Sequence, residues 1–347
     1  MQIPLVALAQ VLVALCIKAA GRGMLWAVAL WSLAACAPFV VPPGGERVSA
    51  RLETNAYVAN DGAVLPLTAW GPAEQPAALV LGLHGFGDYA NAFAETGKLL
   101  AAQNIRTVAY DQRGFGSAPE RGRWHGVGRM VEDAAGAVRV LAKTYPTTPV
   151  YVVGLSMGGG IGMILAAEQP DLPLAGVAAV APAVWGRRSM PALQQAGLWL
   201  SAHTIPWYPL TGQGLKVQAS DNIAMLRRLA KDKQILRQFR VDLVWGLVDT
   251  MDRAMLSASR IRQPSLFLYG LRDELVPLGP TRRTLLTVPQ AKRRVAVYPN
   301  GYHMLLRDLR GAEVVADLAV WLLNPSAPLP SGADRSGIEA LLARSAR

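Results

Sequence analysis

Residues Tyr151–Gly160 read YVVGLSMGGG, one serine set among four glycines. A buried strand has no need of Ser156, and an ordinary turn has no need of so many glycines. The pentapeptide Gly154-Leu155-Ser156-Met157-Gly158 fits G-x-S-x-G, and its setting matters more than the pattern. The apolar YVVG before it has strand character, and GGGIGMILAAEQ after it has helical character. A sharp turn from strand into helix demands backbone angles that only small neighbours tolerate. Such a turn also leaves the hydroxyl at a helix N-terminus, where free N–H groups stabilise developing negative charge. Ser156 is therefore a candidate nucleophile. Gly154 and Gly158 serve the bend, while Gly159 and Gly160 let the helix pack close.

Outward from this turn the chain alternates. Strands are predicted at Asn55–Val58, Val64–Trp70, Ala77–Leu83, Arg106–Tyr110, Val150–Gly154, Leu174–Val180, Ser265–Tyr269 and Arg294–Tyr298, with a hairpin turn at Asn60-Asp61-Gly62. From Ala77 on they are continuous apolar runs, as expected of strands buried on both faces. Helices are predicted at Ala90–Ala102, Gly128–Thr144, Gly158–Glu168, Pro280–Thr287 and Ala312–Leu323. The fold class is α/β, a mostly parallel central sheet with helices on both faces. Residues 184–259 break the alternation with helical and loop-like sequence rich in tryptophan, proline and arginine, and read as a helical cap. That divides the chain into an N-terminal segment 1–36, a tether 37–50, a core 51–183 and 260–324, the cap, and a tail 325–347.

A serine nucleophile needs a base, and the chain has four histidines: His84, His125, His203 and His303. His84 and His303 both follow predicted strands, where functional groups of an open sheet gather, so position alone leaves two choices. The chain order Ser…Asp…His used by this kind of fold selects His303. The orienting acid should end a strand between Ser156 and His303. Asp273, after Ser265–Tyr269 and a glycine turn, meets that condition, with Glu274 as its neighbour and competitor. Asp249 and Asp252 are weaker candidates because they lie in the cap. His84 heads His84-Gly85-Phe86-Gly87 and reads as a loop-fixing side chain. The glycines there would let the Phe86 N–H join that of Met157 in an oxyanion hole.

Five motifs in order, HGFGD, YDQRGFGSAPERG, GLSMGGG, GLRDELVP and YHMLLRD, resemble the monoacylglycerol lipase and lysophospholipase branch of the α/β-hydrolase superfamily. The resemblance runs from about Leu67 to Leu323. It implies the α/β-hydrolase fold, a triad of Ser156, Asp273 and His303, and oxyanion donors at Phe86 and Met157. It also implies a structural part for the loop holding Asp111, Arg113, Gly114 and Gly116. No motif in the cap carries over, so substrate identity is the least specified property.

The chain of 347 residues is 52% hydrophobic and 17% charged, with a formal net charge of +11. The basic residues form no run with interleaved aromatics, so nucleic acid is not the expected partner. An anionic membrane surface is. The only cysteines are Cys16 and Cys36, both in the apolar N-terminal region, so the rest of the chain has no thiol for a disulfide or metal site. Lys18 and Arg22 precede the apolar run MLWAVALWSL, which ends at Ala34-Ala35-Cys36. LAAC resembles the lipobox of bacterial lipoproteins, which implies lipidation of Cys36 and a membrane-anchored place in the cell envelope. Ala37 after the cysteine favours the outer membrane by the same resemblance. The alternative is an uncleaved membrane anchor. The apolar stretch Ile3–Ile17 fits either a first anchor segment or a translation start downstream of Met1.

The expected activity is a serine hydrolase acting on carboxylic esters, with acyl-glycerols or lysophospholipids as substrates and no metal or organic cofactor. Peptidase, amidase and acyltransferase chemistry on the same triad are the rivals. A dehalogenase or epoxide hydrolase would need Asp in place of Ser156. A catalytically idle lipoprotein that binds acyl chains or a partner is the alternative of another class. Oligomeric state is left open.

Overall fold

The computed structural model describes residues 37–341 apart from 43, 46, 213–216, 336, 338 and 340. Cys36 and the segment expected to be a signal or membrane anchor lie outside the described residues. Among the described residues no helix is long and apolar enough to cross a membrane.

The strands are β1 (Arg51–Glu53), β2 (Ala56–Val58), β3 (Val64–Trp70), β4 (Ala78–Leu83), β5 (Ile105–Tyr110), β6 (Val150–Leu155), β7 (Gly176–Val180), β8 (Pro209–Thr211), β9 (Gln238–Arg240), β10 (Ser265–Gly270) and β11 (Arg293–Tyr298). The α-helices are α1 (Ala94–Ala101), α2 (Val127–Thr144), α3 (Met157–Glu168), α4 (Ala192–Thr204), α5 (Ile223–Leu229), α6 (Val241–Ser257), α7 (Leu278–Thr287) and α8 (Gly311–Leu323). Nine of the described strands form one sheet in the order β1-β2-β3-β5-β4-β6-β7-β10-β11. From β5 to β11 every neighbouring pair is parallel, and β1–β3 add an antiparallel edge.

This order positions the site. β4 connects to β5 on one side, while β6 lies on its other side and the chain then runs outward to β11. The strand order therefore reverses between β4 and β6, and such a switch point opens a crevice at the carboxyl ends of the strands. The register Leu83↔Gly154 brings the loops after β4 and β6 side by side there.

Both faces of the sheet are covered. Leu79, Leu81, Leu83 and Val152 point to one face, with Ile161 and Leu165 of α3. Val80, Val153, Leu266 and Leu268 point to the other, with Trp321 of α8 and Leu100 of α1. Every residue of β4, β7 and β10 is buried, which is why these segments read as unbroken apolar runs. The fold is the expected mostly parallel α/β sheet between helices.

Three segments carry structure that the sequence pattern does not predict. The insertion after β7 is not wholly helical, because β8 and β9 pair antiparallel within it. Each strand has three residues and β8 starts on Pro209, too little for a period-two signal. The basic stretch Met225–Arg240 is helical only to Leu229. Asp232 Oδ1 then accepts from Gln234 N–H at 2.9 Å, a local turn that competes with further helix. The C-terminal tail covers the exposed edge of β11: Val297 N–H donates to Ala333 O, and Arg294 pairs with Asp334 at 2.6 Å.

Candidate active site

Ser156 is the last residue before α3 and holds φ 50°, ψ −110°. A side chain at positive φ is strained by roughly 1–3 kcal/mol, so the surroundings must hold it there. They do so through its backbone. Ser156 N–H donates to Val180 O at 2.9 Å, and its carbonyl accepts from Gly160 N–H at 3.0 Å and Ala183 N–H at 2.9 Å. The flanking glycines answer to space. A Cβ on Gly158 would lie 2.0 Å from Leu83 O, and one on Gly154 would lie 2.2 Å from Gly158 O. Gly159 faces Pro182 and Gly160 faces Ala183 O, so these two allow close packing beyond the bend.

Asp273 and His303 follow the neighbouring strands β10 and β11. Asp273 Oδ2 accepts from His303 Nδ1 at 2.8 Å, while its Oδ1 accepts from Leu275 N–H at 2.8 Å and Val276 N–H at 3.0 Å. The Asp273 side chain is 0% exposed and His303 10%. With Nδ1–H committed to Asp273, the Nε2 atom is the one left to take a proton. His303 and Ser156 both line a cavity of about 400 Å³. No hydrogen bond links them among the described contacts, and such bonds commonly tighten only when substrate binds.

Of the two expected oxyanion donors, Phe86 shares the cavity wall with Ser156 and Met157 follows it in the chain. Gly85 places its α-carbon so that a Cβ there would sit 3.5 Å from Ser156 Cβ. Met157 opens α3, so its N–H has no partner within the helix. Among the described residues, neither the Phe86 nor the Met157 N–H donates to a protein acceptor. The rest of the cavity wall is apolar, with Trp185, Phe239, Leu247, Met251 and Leu275 prominent in it. One ion pair interrupts the wall, Asp88 with Arg307.

The other candidates stand apart. His84 is fully buried; its Nε2 accepts from Gln112 N–H at 2.9 Å, which leaves Nδ1–H to donate to Gly85 O at 2.8 Å. It fixes the loop, as its sequence position suggests. His203 stacks on Trp199 at 4.6 Å on α4. Glu274 accepts from Gln218 N–H at 2.8 Å, and Asp249 and Asp252 both pair with Arg187, so none of the three meets His303. The loop after β5 is structural. Asp111 accepts from Ala90 and Ser117 N–H, and Arg113 binds Asp133 with two hydrogen bonds and Asp61 with a third.

His125 belongs to this loop. Burial, reinforced by the Arg113 charge, pushes its pKa down to about 4. Burial likewise lowers that of His84. Both rings are neutral in the native state. Between about pH 6.5 and 4 the unfolded chain binds a proton that the native His125 ring refuses, and the lowered His84 pKa acts in the same direction, so stability falls as pH falls through that window. The melting temperature is expected to drop by more than about 5 °C from pH 7.5 to pH 5 in scanning calorimetry. His125→Asn should flatten that slope. An unchanged melting temperature across the range would contradict the neutral assignment.

Sequence reasoning missed the Asp88–Arg307 pair and the cap residues of the cavity wall, Phe239 above all. Asp88 had a signal, as the last residue of HGFGD. Phe239 had none, since only tertiary packing brings it to the serine.

A parallel sheet between helices, a strained serine at the switch point and a histidine oriented by a buried aspartate define an α/β-hydrolase of the serine-hydrolase class. Residues 74–310 match the family described as serine aminopeptidase, S33, and the chain belongs to that family. A monoacylglycerol lipase of Mycolicibacterium smegmatis is 24% identical over 289 residues, which cover 80% of this chain and 99% of that protein. The monoglyceride lipase of Homo sapiens is 26% identical over 255 residues, covering 72% and 82%. Among solved structures, the Paleococcus ferrophilus monoacylglycerol lipase superposes with a TM-score of 0.63 at 24% identity, covering 76% of this chain and 99% of that one. A soluble variant of the Saccharomyces cerevisiae monoglyceride lipase gives 0.65 at 18% identity, covering 82% and 97%. These superpositions establish the shared fold. The chain is a serine hydrolase of this family.

Proposed function

We propose that the chain hydrolyses lipid esters, acyl-glycerols or lysophospholipids, with Ser156 as nucleophile, His303 as base and Asp273 as the acid that orients it. The observation that carries this reading is the apolar cavity of about 400 Å³ with Ser156 and His303 in its wall. Ser156 Oγ attacks the ester carbonyl carbon as its proton passes to His303 Nε2. The resulting imidazolium is held by Asp273, and the oxyanion accepts from the Phe86 and Met157 N–H groups. The C–O bond to the alcohol then breaks, and the leaving oxygen takes the proton from His303. Water repeats the path, its proton going to His303, and releases the acid and the free serine.

The family name raises a peptidase reading. An enzyme that holds a free amino terminus needs an unpaired carboxylate near the reacting carbonyl. Asp88 is the one carboxylate among the described residues of the wall, and Arg307 already neutralises it. That favours esters, as do the names of the two curated relatives. An ester panel tests the choice. Turnover per site is expected to rise at least about tenfold from acetyl to decanoyl glycerol, because each added buried CH₂ contributes up to about 0.8 kcal/mol. Amino-acid anilides should remain unhydrolysed. Faster cleavage of anilides than of decanoyl glycerol would reverse the assignment.

A further inference from the structure

The loop Gly85–Tyr89, which carries the Phe86 N–H, is held from two sides. On the core side, His84 Nδ1–H donates to Gly85 O at 2.8 Å, and the Phe86 ring meets Phe115 edge-on at 5.5 Å between centroids. On the other side lies a single stretch of the insertion, Asp232–Phe239. The Phe239 ring stacks on Phe86 at 4.8 Å with an interplanar angle of 28°. Leu236 N–H donates to Gly87 O at 2.8 Å, and Tyr89 Oη donates to Asp232 Oδ2 at 2.7 Å. Gly87 itself sits at φ +78°, and a Cβ there would come within 2.9 Å of Phe239. The loop and the insertion are thus fitted to each other without slack.

Leu236 and Phe239 also pack against the core, but among the described residues this stretch has few other polar ties to it. Arg121 Nη2 donates to Lys233 O at 2.9 Å and Gln234 O at 3.1 Å, and β9 pairs only with β8 of the same insertion. A shift of this stretch therefore acts directly on the loop that carries Phe86. Turning the peptide Gly85–Phe86 re-aims one of the two N–H groups facing the developing oxyanion.

We infer that Phe239 is a positioning residue for catalysis: stacked on Phe86, it holds the Phe86 N–H toward the oxyanion, so the oxyanion hole is complete only while the insertion is seated. This rests on the ester-hydrolase reading above and extends it. The hole becomes a joint property of the core and the cap. A substrate or surface that lifts Asp232–Phe239 slows chemistry as well as altering access.

The test is steady-state hydrolysis of a short water-soluble ester by the full chain, because an acetyl group uses little of the cavity wall. Phe239→Ala should lower kcat at least about 30-fold, approaching the loss seen when one oxyanion donor is removed, with KM within about threefold. Phe239→Tyr, which keeps the ring stack, should restore kcat to within about threefold. Tyr89→Phe, which frees Asp232 but leaves the ring in place, should lower kcat by a smaller factor. Binding of a trifluoromethyl ketone, which forms a tetrahedral oxyanion, should weaken in parallel with kcat. A merely structural role would move the melting temperature and KM and leave kcat intact. The inference is overturned if Phe239→Ala retains kcat within threefold, or if the loss falls in KM alone. Should Phe239→Ala not fold, Phe239→Leu carries the same kcat criterion. Absence of ester turnover or phosphonate labelling in the unsubstituted chain would instead sink the ester-hydrolase reading, a distinct outcome.

Discussion

Ser156→Ala is expected to remove essentially all ester turnover, a loss of about 10⁵-fold or more in kcat, while leaving the protein folded. The residue contributes little else that alanine would lack. Its backbone makes the three hydrogen bonds that hold the bend, and these survive the substitution. Alanine at φ 50° is strained about as serine is, so the melting temperature should stay within about 3 °C. What disappears is the oxygen that bonds to the acyl carbon, and no other hydroxyl lines the cavity among its described residues. Residual rate would come only from binding and the Phe86 and Met157 donors. Retention of more than about 1% of turnover would move the nucleophile elsewhere.

Asp273→Asn is the second large effect. The amide has the carboxylate's shape, and its oxygen can still accept from Leu275 and Val276 N–H, so the loop after β10 keeps its form. The remaining NH₂ group then faces His303 Nδ1. It donates where the carboxylate accepted, which turns the ring's proton to Nε2, the atom that must receive the serine proton. The imidazolium also loses its counter-charge in a site where the acid is fully buried. The expected loss is about 10⁴-fold in kcat with KM nearly unchanged. Glu274→Gln is the control, since that side chain binds Gln218 N–H and should leave kcat within about twofold. An Asp273→Asn enzyme with more than a tenth of normal kcat would reassign the acid.

Much of this is legible in the sequence itself. β4, β6, β7, β10 and β11 announce themselves as apolar runs because both faces are buried, and β-structure covered on two sides leaves no polar alternation to confuse. YVVG followed by a glycine-rich helix marks the bend, and chain order separates His303 from His84. The four-way competition among acids also resolves through contacts that sequence cannot supply: Arg187 occupies Asp249 and Asp252, and Gln218 occupies Glu274. The cap is different. β8 and β9 are three residues each and gain their order from pairing with one another across 26 intervening residues, Gly212 to Arg237. Phe239 reads as one aromatic in a basic stretch until the fold lays it on Phe86. Arg113 reads as part of a loop motif, yet its partners Asp61 and Asp133 lie 52 and 20 residues away. Long-range partners of this kind leave no local pattern.

The central claim is that Ser156 is the activated nucleophile of an ester hydrolase. Mass spectrometry of the full chain treated with a fluorophosphonate probe tests it most directly. One phosphonyl group is expected per chain, on the peptide containing Ser156. The label should be absent from Ser156→Ala and slowed by at least about 10³-fold in His303→Ala, where no base takes the proton. A folded protein that takes no label, or takes it on another residue, would contradict the claim.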